Sequence, residues 1–205
     1  MLAPALFAVA IVLFAGLRTD YSHLNDAVSE LGARGASNAL AWNLIGFIAV
    51  GLLIAAFSWG LFEVTGSRAA LVFVGLSGLG FAGTGVFPAD MADLAAPSSR
   101  MHILMSLICF GAFVLGAIVL CWRFFKLADW RGVAIGSGLF GLLALLTMPL
   151  REMAVPPGLA QRVSFGIYLA WIWFLAVALW RRKPGPEEPH PRIEARGTAG
   201  YTNRP

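Results

Sequence analysis

Residues 101–122 read MHILMSLICFGAFVLGAIVLCW, a run of 22 residues that contains no Asp, Glu, Lys or Arg. A helix of about 20 apolar residues is long enough to cross the hydrocarbon core of a bilayer. The run therefore predicts a transmembrane helix. A single ionisable side chain, His102, stands in its first turn.

Five further apolar stretches qualify or nearly qualify as membrane spans. They are Leu2–Leu17, Leu40–Phe62, Ala69–Phe87, Gly132–Leu150 and Leu159–Trp180. The first is short, but it lacks the preceding basic residues and the small-residue cleavage site of a signal peptide, so we expect it to be retained. The sequence predicts an all-α polytopic membrane protein, a six-transmembrane-helix bundle over residues 1–180.

The composition excludes several other classes of protein. The chain is 59% hydrophobic and 13% charged, whereas a typical soluble domain is about 45–50% apolar and about 25% charged. An ordinary soluble domain, a disordered protein and a nucleic-acid-binding module are therefore excluded, and we expect no nucleic acid among the partners. The two cysteines, Cys109 and Cys121, lie within apolar sequence and indicate no disulfide framework.

The distribution of basic residues predicts the orientation in the membrane. The N-terminus, the two even-numbered loops and the tail carry ten Lys and Arg residues, and the odd-numbered loops carry five. Because cytoplasmic loops are enriched in Lys and Arg, we expect both termini to be cytoplasmic and the protein to be a multi-pass component of the bacterial inner (plasma) membrane. Residues 181–205 are rich in Pro, Gly and charge, which is typical of a disordered tail. Most tryptophans stand near span ends, as in an aromatic belt.

The first loop, from about Arg18 to Ala39, combines an apolar stripe with a polar face. The stripe consists of Leu24, Ala27, Val28 and Leu31, which follow the spacing of one face of a helix. This spacing predicts an amphipathic helix from Ser22 to Gly32. On such a helix His23, Asp26 and Glu30 would share one face. The arrangement is typical of a solvated face of an interfacial helix, and a metal or proton-handling site is the alternative.

The first loop is predicted to be extracytoplasmic, and other polar residues fall at the same end of the predicted spans. Asp90 follows the third span in the run Phe87-Pro88-Ala89-Asp90, where it could cap a turn or serve a ligand. Ser106 and Cys109 continue a polar stripe from His102 into the membrane, and ionisable residues at the edge of a span are often functional. The candidate ligand-binding residues are His23, Asp26, Ser29, Glu30, Asp90, His102 and Arg162. Of these, His102, Asp26 and Glu30 could hold a divalent metal such as zinc.

Three stretches of the chain resemble a known family. They are Ser29-Glu30-Leu31-Gly32-Ala33 with Asn43, then Gly85-Val86-Phe87-Pro88-Ala89-Asp90 with His102, and Gly158-Leu159-Ala160-Gln161-Arg162 with Trp171. In this order they resemble the six-span bacterial and archaeal membrane proteins called Domain of Unknown Function 998, over residues 1–180. This chain has Glu30 in place of an expected Asp and one His in place of a common pair. The resemblance implies the six-span fold and leaves the activity open.

Three functions fit the sequence. The first is a polar pocket at the extracytoplasmic face that handles a membrane lipid or small amphiphile. A bound metal or a His–carboxylate pair would make this pocket catalytic. No catalytic residue can be assigned from the sequence. The alternative is a non-catalytic accessory subunit or assembly factor of a larger complex, in which Gly-rich helix faces pack on other membrane protein subunits. The third is a small transporter, although the charges lie at span ends rather than near the midplane.

Overall fold

The computed structural model describes residues 2–148 and 155–181, and over this part the chain is all-helical with no strand. Six longer helices follow one another within the described residues: α1 Leu2–Gly16, α2 Ala39–Thr65, α3 Arg68–Val86, α4 Pro97–Phe125, α5 Arg131–Thr147 and α6 Pro157–Trp180. Helices α2 to α6, with a short 3₁₀ turn before α5, are long and apolar enough to cross a membrane, and α1 is a shorter apolar helix of 15 residues. The predicted tail lies outside the described residues apart from Arg181, as do Arg151 and Glu152.

Each helix packs mainly against its neighbours in sequence. The largest contacts join α2 to α3, α3 to α4 and α4 to α5, and α6 then packs against both α5 and α1. Glycines allow the closest approaches: a Cβ added at Gly80 of α3 would lie 2.6 Å from the backbone nitrogen of Cys109 on α4. Close backbone contact through small residues is a main source of helix association in lipid, where no hydrophobic force drives helices together.

Aromatic rings fill the centre of the bundle. The ring of Phe81 on α3 packs against Phe7, Phe47 and Phe165 with centroids 5.4–5.6 Å apart. Trp42 and Trp171 are fully buried in this core. The aromatic-belt prediction is therefore wrong for these two residues, which stabilise the interior instead of a membrane interface.

The beginning of α2 departs from regular α-helix. Residues Asn43–Ala49 form a π-helical segment within α2. The buried Asn43 side chain donates from Nδ2 to the carbonyl of Gly32 in the first loop, at 2.9 Å. A Cβ at Gly32 would overlap the Asn43 side chain, so a glycine is needed for this loop to lie on α2.

Candidate ligand-binding cavity

Three segments separated in sequence meet at one end of the bundle. The first loop contacts the segment after α3, where Arg34 N donates to Ala89 O at 2.8 Å. It also contacts the start of α6, where Leu159 N donates to Leu24 O at 3.0 Å. The first loop therefore covers the end of the bundle at which the candidate residues were predicted to gather.

The predicted amphipathic helix in the first loop is wrong, because only Val28–Gly32 is helical and it forms a short 3₁₀ turn. The carboxylate of Asp26 accepts a hydrogen bond from Ser22 N at 2.7 Å, which closes a turn at the expected helix start. The carbonyl of Leu24 accepts from the first turn of α6 instead of from a helical neighbour. Val28 and Leu31 nevertheless bury their side chains in the core, as their spacing predicted.

The three candidate carboxylates bind backbone N–H groups of their own turns. Asp26 accepts from Ser22 N, as described above. Glu30 Oε1 accepts from Ala27 N at 2.9 Å, and Asp90 Oδ1 accepts from the backbone N–H of Ala92 at 3.0 Å. Such bonds satisfy donors that turns leave unpaired. These contacts support a role in shaping the loops.

Arg162 fastens the first loop to α6. Its Nη1 donates to Asp26 O at 3.0 Å and to Gly158 O at 2.9 Å. Its Nη2 donates to the Tyr21 hydroxyl at 2.7 Å and to His23 Nδ1 at 3.2 Å. Burial raises the pKa of Tyr21, and the nearby Arg162 charge offsets part of that rise. The neutral phenol therefore accepts from Arg162 while it donates to the loop.

A second arginine orders the start of the first loop. Arg18 donates to Glu30 O at 3.1 Å and forms an ion pair with Asp20 at 2.7 Å. The hydrogen bond from Arg18 holds the pKa of the Asp20 carboxyl below its ordinary value. Asp20 is exposed to water, so this pair contributes little to stability.

The structure does not bring the predicted metal ligands together. Within residues 2–148 and 155–181, no group of three or more His, Cys, Asp or Glu side chains is placed to hold a metal ion. Asp26 and Glu30 each accept a loop N–H group on one carboxylate oxygen, and His102 lies on α4 beneath the loop. His102, Asp26 and Glu30 therefore do not form the predicted set of ligands.

Beneath the first loop lies a cavity of about 380 Å³, a volume within the range of about 300–1,000 Å³ that is usual for ligand pockets. The described residues that line it come from α3, α4, the end of α5, α6 and the adjoining loops. They are Ser29, Phe81, Thr84, Ala89, Met91, Leu94, Ser99, His102, Ile103, Ser106, Leu107, Cys109, Phe110, Phe113, Thr147, Met148, Gln161, Ser164, Phe165 and Tyr168. Of the predicted site residues, His102 and Ser29 line this cavity, whereas His23, Asp26, Glu30, Asp90 and Arg162 do not.

His102 is held in one orientation by the end of α3. Its Nδ1 lies 2.9 Å from Thr84 O and 3.0 Å from Phe87 O. Carbonyl oxygens only accept, so Nδ1 carries the proton. Thr84 O is available because the residue four positions later is Pro88, which has no N–H to donate. With Nδ1 fixed in this way, Nε2 is the ring nitrogen left for a ligand in the cavity.

Hydroxyl groups that sequence reasoning largely missed supply the other polar atoms. Ser106 donates to His102 O at 2.9 Å, Ser164 to Ala160 O at 3.0 Å, and Thr147 to Ala144 O at 3.0 Å. Each proton is given to the helix's own backbone, so the lone pairs of these oxygens remain available. The helical spacing from His102 to Ser106 indicated one of them, whereas no pattern in the sequence marks Ser164 or Thr147.

Apolar residues on the outside of the bundle border the cavity. Ile103 and Leu107 on α4 are 48% and 64% exposed, and Met148 after α5 is 53% exposed. All three also line the cavity. In a membrane these side chains face lipid, so the cavity adjoins the hydrocarbon between α4 and α5.

The fold and the cavity define a multi-pass α-helical membrane protein. More narrowly, the chain belongs to the DUF998 family, described as proteins of unknown function, whose family model matches residues 1–180. The expectation drawn from the short motifs is thereby confirmed. No curated protein and no solved structure matches the chain.

Proposed function

We propose that this protein binds a lipid or small amphiphile in the cavity beneath the first loop, at the extracytoplasmic end of the bundle. The observation that carries the proposal is the cavity itself, which combines apolar walls with a few polar groups and adjoins lipid-facing side chains. Ligand sites typically have such walls, with a small number of polar atoms that fix orientation.

The lining changes in character along α4. Ser99 and His102 lie in its first two turns, near the loops, whereas Phe110 and Phe113 lie further along the helix. Ser99 and Phe113 are fourteen positions apart, which is about 21 Å at the helical rise. A molecule with a polar head toward the loops and an alkyl chain along α4 would match this gradient.

The location at the extracytoplasmic side rests on the charge distribution. The end of the bundle that holds the cavity carries the loops poorer in Lys and Arg, and the positive-inside rule places such loops outside the cytoplasm. A ligand would therefore come from the outer leaflet.

Filling the cavity should remove the bound lipid. Ser164→Phe adds a ring to the cavity wall on α6. We expect the purified protein to retain at least about fivefold less lipid, because overpacking an occupied site costs about 1–3 kcal/mol. The measurement is mass spectrometry of the lipid extracted per mole of protein after purification in mild detergent.

The matched control is Ala170→Phe, which adds the same ring to an exposed position of α6 that does not line the cavity. It should retain lipid like the wild type. Equal lipid retention in a folded Ser164→Phe protein, judged by its melting temperature, would remove the cavity as the binding site.

A further inference from the structure

We infer that the cavity selects an uncharged lipid whose head group is a hydroxyl, such as a long-chain alcohol or a diacylglycerol, over the corresponding phosphorylated lipid. This inference rests on the proposed function and names the class of ligand. It follows from which atoms face the cavity and from how their hydrogen-bonding capacity is already used.

The described lining contains no formal charge. None of its twenty residues is Asp, Glu, Lys or Arg. A phosphate buried among these twenty residues would lose its hydration without gaining a cationic partner from them, which is strongly unfavourable. A protonated His102 would in turn need an anionic partner, and the described lining has no carboxylate to provide one.

The arginine beside the lining residue Gln161 holds the first loop. Arg162 lies one residue after the lining residue Gln161, but both of its terminal nitrogens donate to the first loop and to α6. Turning its guanidinium toward the cavity would break these bonds. The two terminal nitrogens of Arg162 therefore serve the loop and α6.

Several polar side chains of the lining already donate their protons to the backbone. The hydroxyls of Ser106, Ser164 and Thr147 donate their protons to backbone carbonyls, as described above. The Nδ1 proton of His102 is shared by two further carbonyls, which leaves the lone pair of Nε2. A phosphate brings mainly acceptors and would leave these atoms unpaired, whereas a hydroxyl brings the proton that they lack.

The amide of Gln161 completes the match to an alcohol. Gln161 accepts a hydrogen bond from Ser29 N through its Oε1 at 3.2 Å, so its amide NH₂ remains as a donor. A hydroxyl head group could donate to His102 Nε2 and accept from Gln161 Nε2. Both side chains line the cavity near the loops, where the head group is proposed to lie.

The test is a competition between two ligands that differ only in the head group. The full-length protein in lipid nanodiscs is labelled by a hexadecanol that carries a photoactivatable diazirine in its chain, and 1-hexadecanol or hexadecyl phosphate is added as competitor. We expect hexadecanol to halve labelling at a mole fraction at least about tenfold lower than hexadecyl phosphate, given the cost of burying an unpaired charge. Peptide mapping should place the label on α4 and α6.

A variant of His102 separates its two ring nitrogens. His102→Asn keeps an N–H donor for the carbonyls of Thr84 and Phe87 but removes the acceptor at Nε2. We expect its affinity for hexadecanol to fall by about tenfold, as for the loss of one hydrogen bond, with little change for hexadecyl phosphate. Ser106→Ala, which removes a second acceptor, should weaken hexadecanol alone by about threefold and provides a check if His102→Asn does not fold.

The possible outcomes distinguish this inference from the proposed function. Equal or stronger competition by hexadecyl phosphate would overturn the selectivity while leaving an amphiphile site in the cavity. Labelling that Ser164→Phe does not reduce would overturn both, because no amphiphile would then occupy the cavity.

Discussion

Replacing Gly78 by valine should abolish the packing of α3 against α2 and leave little folded protein. A Cβ at Gly78 would lie 2.6 Å from both the backbone nitrogen of Ala55 and the carbonyl oxygen of Gly51. Both obstructing atoms belong to the backbone of α2, so relief requires the two helices to separate. We expect Gly78→Val to cost about 3 kcal/mol or more, at or above the upper end for overpacked cores.

The control for this prediction lies on the partner helix. Gly60 of α2 is exposed, and a Cβ there would meet nothing within 4 Å. Gly60→Val introduces the same side chain and should leave the melting temperature in detergent nearly unchanged, whereas Gly78→Val should lower it sharply or prevent recovery of a monodisperse protein. Similar melting temperatures for the two variants would show that α2 and α3 do not pack as closely as described.

The six helices could be predicted from sequence because the length and hydropathy of an apolar run identify a membrane span. Which face of each helix is buried in the bundle could not be predicted, because both the protein interior and the lipid are apolar. Trp42 and Trp171 are fully buried, yet Trp122 and Trp180 are 73% and 80% exposed. All four stand in similar apolar sequence near span ends or within spans, so only the packing of neighbouring helices separates them.

The candidate site was predictable in part. His102 and Ser29 line the cavity, and the polar residues do gather at one end of the bundle. The sequence places the carboxylates of Asp26 and Glu30 near His23, which indicates possible ligands. It does not show the turn N–H groups that compete for these carboxylates. Competition of this kind depends on backbone geometry, which no spacing rule captures.

The hydroxyl groups of the cavity could not be identified from the sequence. Ser106, Ser164 and Thr147 each donate to their own helix, as Ser and Thr commonly do within membrane spans. In sequence such residues look like ordinary components of an apolar helix. Their importance appears only when α4, α5 and α6 bring their lone pairs to the same cavity.

Removing the side chain of Arg162 should release the first loop from the bundle. Its two terminal nitrogens donate to four acceptors, and its guanidinium lies 5.5 Å from the centre of the Tyr21 ring. Hydrogen bonds to a charged group contribute about 1.5–3 kcal/mol each and are not additive, so we expect Arg162→Ala to cost about 3 kcal/mol. Hydrogen exchange measured by mass spectrometry should become faster in residues 20–31, while α2 and α3 stay protected.

Lysine at this position provides the matched comparison. Arg162→Lys keeps the positive charge but replaces a planar fork by a single ammonium, which cannot reach the loop carbonyls and Tyr21 at once. Arg162→Lys should recover only a minor part of the protection from hydrogen exchange that residues 20–31 lose in Arg162→Ala. Full recovery would show that charge alone holds the loop.

The same variant decides whether Arg162 is structural or binds a ligand. If it served an anionic head group, Arg162→Ala would weaken hexadecyl phosphate selectively. Because all of its described hydrogen bonds go to the first loop and α6, we expect the ratio of hexadecanol to hexadecyl phosphate affinity to stay unchanged while loop exchange rises. A selective loss of phosphate affinity with unchanged loop exchange would instead make Arg162 a ligand residue and contradict the neutral character of the cavity.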